Sequence, residues 1–253
     1  MKQIVNALID SQSLIGPDTY SLQLKAPHIA SYATPGQFVM VYLNKGELLL
    51  PRPISLCDVD IDTGIIHLVY VVVGKGTHVM SQWQAGETVR VMGPLGNGFV
   101  VAGQQTVALV GGGMGVPPLL YLLKQLAERG IKADAYLGFR QESTLPDLFA
   151  PLATNLHIAT DDGSMGQQGT VMDLLTENAK TYDTIYSCGP IPMLKSLAAY
   201  AKTANIPCQV ALEERMACGI GACKSCVVRI LVGYSLCCMY GPVFDSQEVN
   251  WDA

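Results

Sequence analysis

The sequence predicts an α+β chain of several domains: an antiparallel β-barrel, an α/β domain built on a parallel sheet, and a small C-terminal module. Three observations carry that expectation. Short β-type runs punctuated by Gly and Pro fill residues 4 to about 101, strands alternate with helical periods from 107 to about 212, and five of the eight cysteines fall between Cys218 and Cys238. The expected divisions are 1–101, 102–212 and 213–253, and a chain of 253 residues exceeds the roughly 100–200 residues of an average domain.

In the first part the strand runs are Tyr20–Lys25, Gln37–Leu43, Ile65–Val73 and Thr88–Met92. One helix is expected over His78–Gln84, with Thr77 as its N-cap and Gly86 as its stop. In the second part strands are expected at Val107–Val110, Ala133–Leu137, Leu156–Thr160 and Thr184–Tyr186, and helices at Pro117–Arg129, Val171–Ala179 and Pro192–Lys202. Such alternation implies a parallel sheet covered by helices on both faces. After Leu212 regular patterning stops and a Cys- and Gly-rich tail begins.

Composition narrows the function. Apolar residues make up 49% of the chain and charged residues 15%, so more surface than usual must be buried, inside or against a lasting partner. A net charge of -5 opposes binding to a phosphate backbone, which argues against nucleic acid. The longest apolar stretch, Val107–Leu123, is broken by Gly111, Gly112, Gly113, Gly115, Pro117 and Pro118, so no membrane span is expected. Met1–Asp10 lacks the apolar run and small-residue cleavage site of a secretory leader, which gives a cytoplasmic expectation. In that setting clustered cysteines point to metal ligation or catalysis rather than disulfides.

The cysteines supply the strongest motif. Cys218, Cys223 and Cys226 form a C-x4-C-x2-C run, and Cys238 follows after eleven intervening residues, the ligand spacing of a plant-type [2Fe–2S] cluster. Four thiolates could also hold structural zinc, although such sites usually show two close cysteine pairs. The residues alone leave the fourth ligand open between the neighbours Cys237 and Cys238.

Three further motifs suit nucleotides. Val107–Val110 runs into Gly111, Gly112, Gly113 and Gly115 and then a helix opened by Pro117, a turn whose backbone amides can face a pyrophosphate. A tight turn in a parallel sheet explains the same glycines. Cys188, Gly189 and Pro190 follow a strand at the end where open α/β sheets place ligands, though Cys188 alone also reads as a small core residue. Arg52, Pro53, Ile54 and Ser55, with Gly74-Lys75-Gly76-Thr77 before a helix, could hold a dinucleotide phosphate; Arg52 by itself is an ordinary surface cation. Asp161-Asp162-Gly163-Ser164 fits a cleft or a plain turn, and His28, His67, His78 and His157 are scattered without ligand spacing.

Taken in order, R-P-x-S, G-x-G-T, GGGxGxxP, C-G-P and the cysteine loop resemble the ferredoxin–NAD(P) reductase superfamily. Glu213-Glu214-Arg215-Met216-Ala217-Cys218 through Cys226, with Cys238-x-x-Gly-Pro-Val-Phe244, looks like the electron-transfer subunits of the dihydroorotate dehydrogenase B family. The resemblance implies that Arg52 to Ser55 bind FAD, with Arg52 on phosphate and Ser55 near the isoalloxazine. It adds FAD contacts from Val69, Tyr70 and Val71 and a pyrophosphate contact from Gly76 and Thr77. Relatives often carry arginine where Val71 stands, which leaves a backbone contact there.

The same resemblance assigns the glycine turn and Cys188-Gly189-Pro190 to NAD as substrate, with Cys188 near nicotinamide and flavin, and makes Cys238 the fourth cluster ligand. It implies a separate FMN-containing catalytic subunit, a heterotetramer of two of each chain, and electrons passing from FMN through [2Fe–2S] and FAD to NAD+ in pyrimidine biosynthesis. NAD over NADP is expected, since no arginine cluster follows the second nucleotide-domain strand beyond Arg140. Rival readings are a flavin/iron–sulfur reductase subunit of a hydrogenase or a ferredoxin:NADP transhydrogenase, and a zinc-stabilised nucleotide-binding module without enzymatic activity.

Overall fold

The computed structural model describes residues 2–43, 48–178 and 180–252; Met1 and Ala179, which entered the leader and helix expectations, lie outside them. The chain divides into two compact units. One comprises residues 1–98, 213–228 and 235–242, the other 99–212, 229–234 and 243–253.

The first unit is a closed six-stranded antiparallel barrel. Its strands are β1 (Gln3–Gly16), β2 (Thr19–Lys25), β3 (Phe38–Tyr42), β4 (Arg52–Asp60), β5 (Ile65–Val71) and β6 (Thr88–Leu95), in the order β1-β2-β5-β4-β3-β6. The two-residue period explains them: Leu22, Leu24, Ile66 and Leu68 are fully buried while Ser21, Gln23 and His67 alternate outward. β1 and β4 did not figure among the expected runs. Pro53 removes a donor from the first turns of β4, which blurs its strand signal. Two short helices join the barrel, α1 (Pro27–Tyr32) and α2 (Lys75–Met80).

The expected helix over His78–Gln84 is thus displaced toward the N-terminus. Gly74 is the N-cap, and Thr77 sits inside the first turn, where its Oγ1 accepts from the Gly74 N–H at 3.3 Å. Gly86, at φ +90, lies in the turn that leads into β6, where its N–H donates to Ile9 O at 2.8 Å.

The second unit is a seven-stranded sheet, β7 (Thr106–Gly112), β8 (Lys132–Phe139), β9 (Asn155–Thr160), β10 (Gln167–Gln168), β11 (Thr184–Cys188), β12 (Cys208–Ala211) and β15 (Val243–Asp245), ordered β10-β9-β8-β7-β11-β12-β15. All neighbours are parallel except β12 and β15. Its helices are α3 (Pro117–Glu128), α4 (Pro146–Phe149), α5 (Val171–Glu177) and α6 (Ile191–Ala204). α3 packs with α4 and α5 with α6. At the start of the strands the buried Asp134 accepts from Lys180 Nζ (2.8 Å), Asn155 Nδ2 (2.6 Å) and Tyr182 Oη (2.9 Å).

The tail is more regular than its composition suggests. β13 (Val227–Ile230) pairs with β14 (Gly233–Leu236), α7 (Cys237–Tyr240) follows, and β15 returns as an antiparallel edge of the large sheet. A three-residue strand whose partner lies more than thirty positions earlier leaves no local signature.

Candidate functional site

Three groups of residues make up the candidate site. On the barrel, Arg52 opens β4 opposite Val41, and Pro53, Ile54 and Ser55 face Met40, Val39 and Phe38 of β3 in register. The Arg52 guanidinium lies against Gly76 so closely that a Cβ at that position would overlap Nε, Nη2 and Cζ. Its Nη1 donates to Leu50 O at 2.7 Å. Glycine is therefore required at 76 to let the arginine lie across the start of α2. Thr77 fixes the turn beneath: its Oγ1 also accepts from the Val73 N–H at 2.9 Å.

Above Gly74 nothing lies within 4 Å, so this turn presents its backbone to open space beside a cation. A pyrophosphate fits such a cradle, because the arginine forks onto anionic oxygens and first-turn amides lack intrahelical partners. Val69, Tyr70 and Val71 lie on β5 opposite Ser21, Tyr20 and Thr19. The Tyr70 ring stacks on Tyr20 at 5.6 Å and its hydroxyl donates to Gln12 Oε1 at 3.0 Å. Burial raises the Tyr70 phenol, so this side chain is a neutral structural donor.

In the second unit the glycine turn and the Cys188 segment meet. Gly111 and Cys188 are paired in register across β7 and β11. Gly113–Gly115 forms a single 3₁₀ turn before α3, and a Cβ on Gly115 would overlap the Cys188 carbonyl and the Gly189 nitrogen. Gly112 is hemmed by Met193 Sδ at 2.7 Å and Pro190 Cδ at 2.9 Å from a Cβ placed there. Gly113, at φ +53, has nothing within 4 Å above it. Close backbone approach and an open face suit a dinucleotide at the strands' C-terminal ends. Cys188 is buried at 1% exposure and contributes backbone to this junction. Asp161 and Asp162 follow β9, where the Asp162 carboxylate accepts from the Ser164 N–H and hydroxyl, both of which hold it below its ordinary range.

The cysteines also converge. Backbone N–H groups point at the sulfurs: Ile220 and Cys223 at Cys218 Sγ (3.4 Å each), Gly221 at Cys238 Sγ (3.1 Å) and Cys238 at Cys226 Sγ (3.5 Å). Among the described residues, no three His, Cys, Asp or Glu side chains gather round one ion position. Gly219 (φ +70) and Gly221 (φ +82) adopt the left-handed conformations that let the loop turn its amides inward. Hydrogen bonds from Ser225 and then Cys218 lower the Cys223 thiol to about 6, while burial first and Cys226 second push Cys238 up to about 12. Cys237 is buried, and its N–H donates to Cys226 O at 2.9 Å. Three sulfurs that accept backbone N–H bonds, with Cys223 Sγ against the Ser225 hydroxyl at 3.1 Å, fit an iron–sulfur cluster, whose thiolates and sulfides accept such bonds.

Residues 6–99 match the family described as an oxidoreductase FAD-binding domain, and residues 213–250 the iron–sulfur cluster binding domain of dihydroorotate dehydrogenase B. A curated relative from Bacillus caldolyticus, a dihydroorotate dehydrogenase B (NAD(+)) electron transfer subunit, is 43% identical over 95% of this chain and 96% of its own. The chain belongs to this electron transfer subunit family. The Desulforamulus reducens member is 38% identical over 100% of both chains, and that of Fusobacterium nucleatum 39% over 98% of this chain and 99% of its own. A chain of a solved NADH-dependent reduced ferredoxin-NADP oxidoreductase is 31% identical with TM-score 0.89, covering 98% of this chain and 91% of that one. The chain is accordingly an electron-transfer component of an oxidoreductase, with a FAD-binding barrel and an iron–sulfur segment. No helix among the described residues is long and apolar enough to cross a membrane.

Some contributors were not singled out in the sequence. Asn97, Met40 and Met193 touch the glycines of these motifs or the cluster segment, and only the density of glycines in Gly93-Pro94-Leu95-Gly96-Asn97-Gly98 signals the first of them.

Proposed function

We propose that this chain carries electrons from an FMN-containing subunit that oxidises dihydroorotate to NAD+, in a cytoplasmic heterotetramer of two copies of each chain that serves pyrimidine biosynthesis. The observation that carries the reading is that Cys218, Cys223, Cys226 and Cys238 belong to the same compact unit whose β4 bears Arg52 to Ser55. In this reading the functional divisions are 1–101 for flavin, 102–212 for nicotinamide nucleotide and 213–253 for the cluster.

Bound FAD supplies the conversion between a hydride pair and the single electrons an iron–sulfur cluster accepts. The protein's part is placement. Arg52 would neutralise the flavin's phosphate, Gly76 and Thr77 would shape the turn that receives it, Ser55 would serve the isoalloxazine side, and Val69, Tyr70 and Val71 would supply the adjoining strand. Gly111, Gly112, Gly113 and Gly115 admit the NAD pyrophosphate, and Cys188, Gly189 and Pro190 border the nicotinamide. Cys218, Cys223, Cys226 and Cys238 would hold the [2Fe–2S] cluster, whose plant-type ligand spacing they carry.

The test is reconstitution. The purified chain should reduce artificial acceptors with NADH and leave dihydroorotate untouched, and adding the FMN subunit should create NAD-dependent orotate formation. Oxidation of dihydroorotate by this chain alone, or a coupled reaction that survives complete loss of the cluster, would overturn the proposal. NAD is preferred over NADP, and equal efficiencies with NADH and NADPH in the dye assay would contradict that. The neighbour of ferredoxin-NADP oxidoreductase type keeps a reductase serving another partner as the second reading, which identification of the subunit that co-purifies would decide.

A further inference from the structure

One corner of the barrel is joined directly to the chain around the fourth cysteine. β6 ends in Gly93-Pro94-Leu95, and the next residues, Gly96 and Asn97, run beside Gly241 and Pro242. The Asn97 N–H donates to Gly241 O, and its Nδ2 donates to Met239 O at 3.3 Å and Tyr240 O at 3.1 Å. A single residue thus takes up three consecutive carbonyls, and the first of them belongs to the residue next to Cys238. Gly96 admits this approach, since a Cβ there would stand 2.5 Å from Pro242 Cδ and 2.8 Å from Gly241 O. Its own carbonyl accepts from Gln37 Nε2 at 2.7 Å, which ties the corner back to the start of β3.

A second contact lies at the other end of the cysteine loop. A Cβ on Gly219, beside Cys218, would come within 2.7 Å of Met40 Cγ and 3.1 Å of Leu95 Cδ1. Met40 is fully buried on β3 and is the register partner of Pro53 on β4. One strand therefore separates the cysteine loop from the Arg52–Ser55 segment, and strands in a sheet lie about 4.8 Å apart. Met40 sets that separation by packing, and Asn97 sets it by hydrogen bonds.

We propose that Asn97 is the positioning residue that holds the cluster segment at a fixed distance from the flavin segment, and that it controls the rate of electron passage between them. The inference rests on the cofactor assignment above. Electron transfer falls steeply as the gap between donor and acceptor widens, so a small displacement of the segment bearing Cys238 slows the step without altering either centre. Driven from NADH, the step runs opposite to the proposed dihydroorotate-to-NAD+ flow: NADH would give a hydride to the flavin, and the reduced flavin would pass one electron to a ferric ion of the cluster. Asn97 is exposed, and exposed hydrogen bonds contribute little net stability, so its removal should leave the barrel folded.

The experiment mixes the reconstituted complex and its Asn97→Ala and Asn97→Asp variants with NADH under anaerobic conditions. Flavin bleaching reads hydride transfer, and electron paramagnetic resonance of rapidly frozen samples reads cluster reduction. Aspartate sets a negative acceptor against the two carbonyls that the Asn97 side chain bonds, those of Met239 and Tyr240, so its effect should exceed that of alanine. We expect flavin bleaching within twofold of wild type, cluster reduction slowed at least tenfold in Asn97→Asp, and iron content and cluster potential unchanged. Hydrogen–deuterium exchange over residues 237–242 should quicken in both variants, a readout independent of electron flow.

Unchanged cluster reduction in both variants would overturn the proposal. So would slowing accompanied by a shifted potential, or loss of iron in both variants, since Asn97 would then be a determinant of the cluster itself. Wild-type protein lacking FAD or iron would overturn the cofactor assignment instead, while the exchange measurement would still report whether Asn97 clamps the segment.

Discussion

Gly115 rests on the backbone of Cys188, across the gap between the turn after β7 and the end of β11, with no room for a single added carbon. The two residues lie 73 positions apart in sequence, and their contact is what makes one surface of two separate motifs.

Replacing Gly115 by alanine should therefore wedge the glycine turn away from Cys188 and Gly189. Overpacking of this kind costs about 1–3 kcal/mol, and the distortion falls on the proposed nicotinamide cleft. The expected outcome is a KM for NADH raised at least tenfold in the dye-reduction assay, with bound FAD and iron unchanged, as absorbance and metal analysis would read.

At the barrel, Gly76→Ala should push the Arg52 guanidinium off the start of α2. Hydrogen bonds to charged groups contribute about 1.5–3 kcal/mol, which corresponds to a loss of roughly 10- to 150-fold in affinity. Titration of the flavin-free protein with FAD should show that weakening for Gly76→Ala and for Arg52→Ala alike. A variant Gly76→Ala that binds as tightly as wild type would remove Arg52 from the phosphate site.

Cys223→Ser should abolish the cluster and spare the flavin, because the loop ligands lie outside the strands of the barrel. Cys238→Ser should do the same, whereas Cys237→Ser should keep about two irons per chain. Visible spectra and iron determination separate the three variants, and the reverse result for the last two would make Cys237 the ligand.

The Asp134 carboxyl carries a pH signature. Burial alone would raise it, but hydrogen bonds from Lys180, Asn155 and Tyr182 outweigh that and hold it below its ordinary value of 3.8. A depressed carboxylate stabilises the fold fully above its unfolded pKa, and that stability is lost as pH falls through the lower folded value. Asp134→Asn should lower stability by about 1–3 kcal/mol near neutral pH, since charged donors lose their partner. The deficit should shrink as the pH drops below about 4, and thermal melts of both proteins from pH 3 to 7 would follow it.

The cysteine loop was legible in the sequence because Cys218, Cys223 and Cys226 sit within nine residues, so spacing alone reports their chemistry. β7, β8, β9 and β11 were legible because each holds a short apolar run, whereas the parallel β10 is only Gln167–Gln168, a polar pair with no strand signal. β4 was not, since Pro53 and the half-buried Arg52 and Ser55 interrupt its alternation. Thr77 has the residue type of an N-cap, but its hydroxyl works from within the first turn, a distinction that depends on backbone angles. Asn97 and Met40 were illegible for a simpler reason: their partners, Gly241 and Gly219, lie more than a hundred positions away.

β15 follows Cys238 by five positions and completes the far border of the seven-stranded sheet, where Ser246 N–H donates to Cys208 O at 2.8 Å. Were β15 to peel off, the Cys208–Ala211 strand would present a row of unpaired amides and carbonyls, a template for joining another chain.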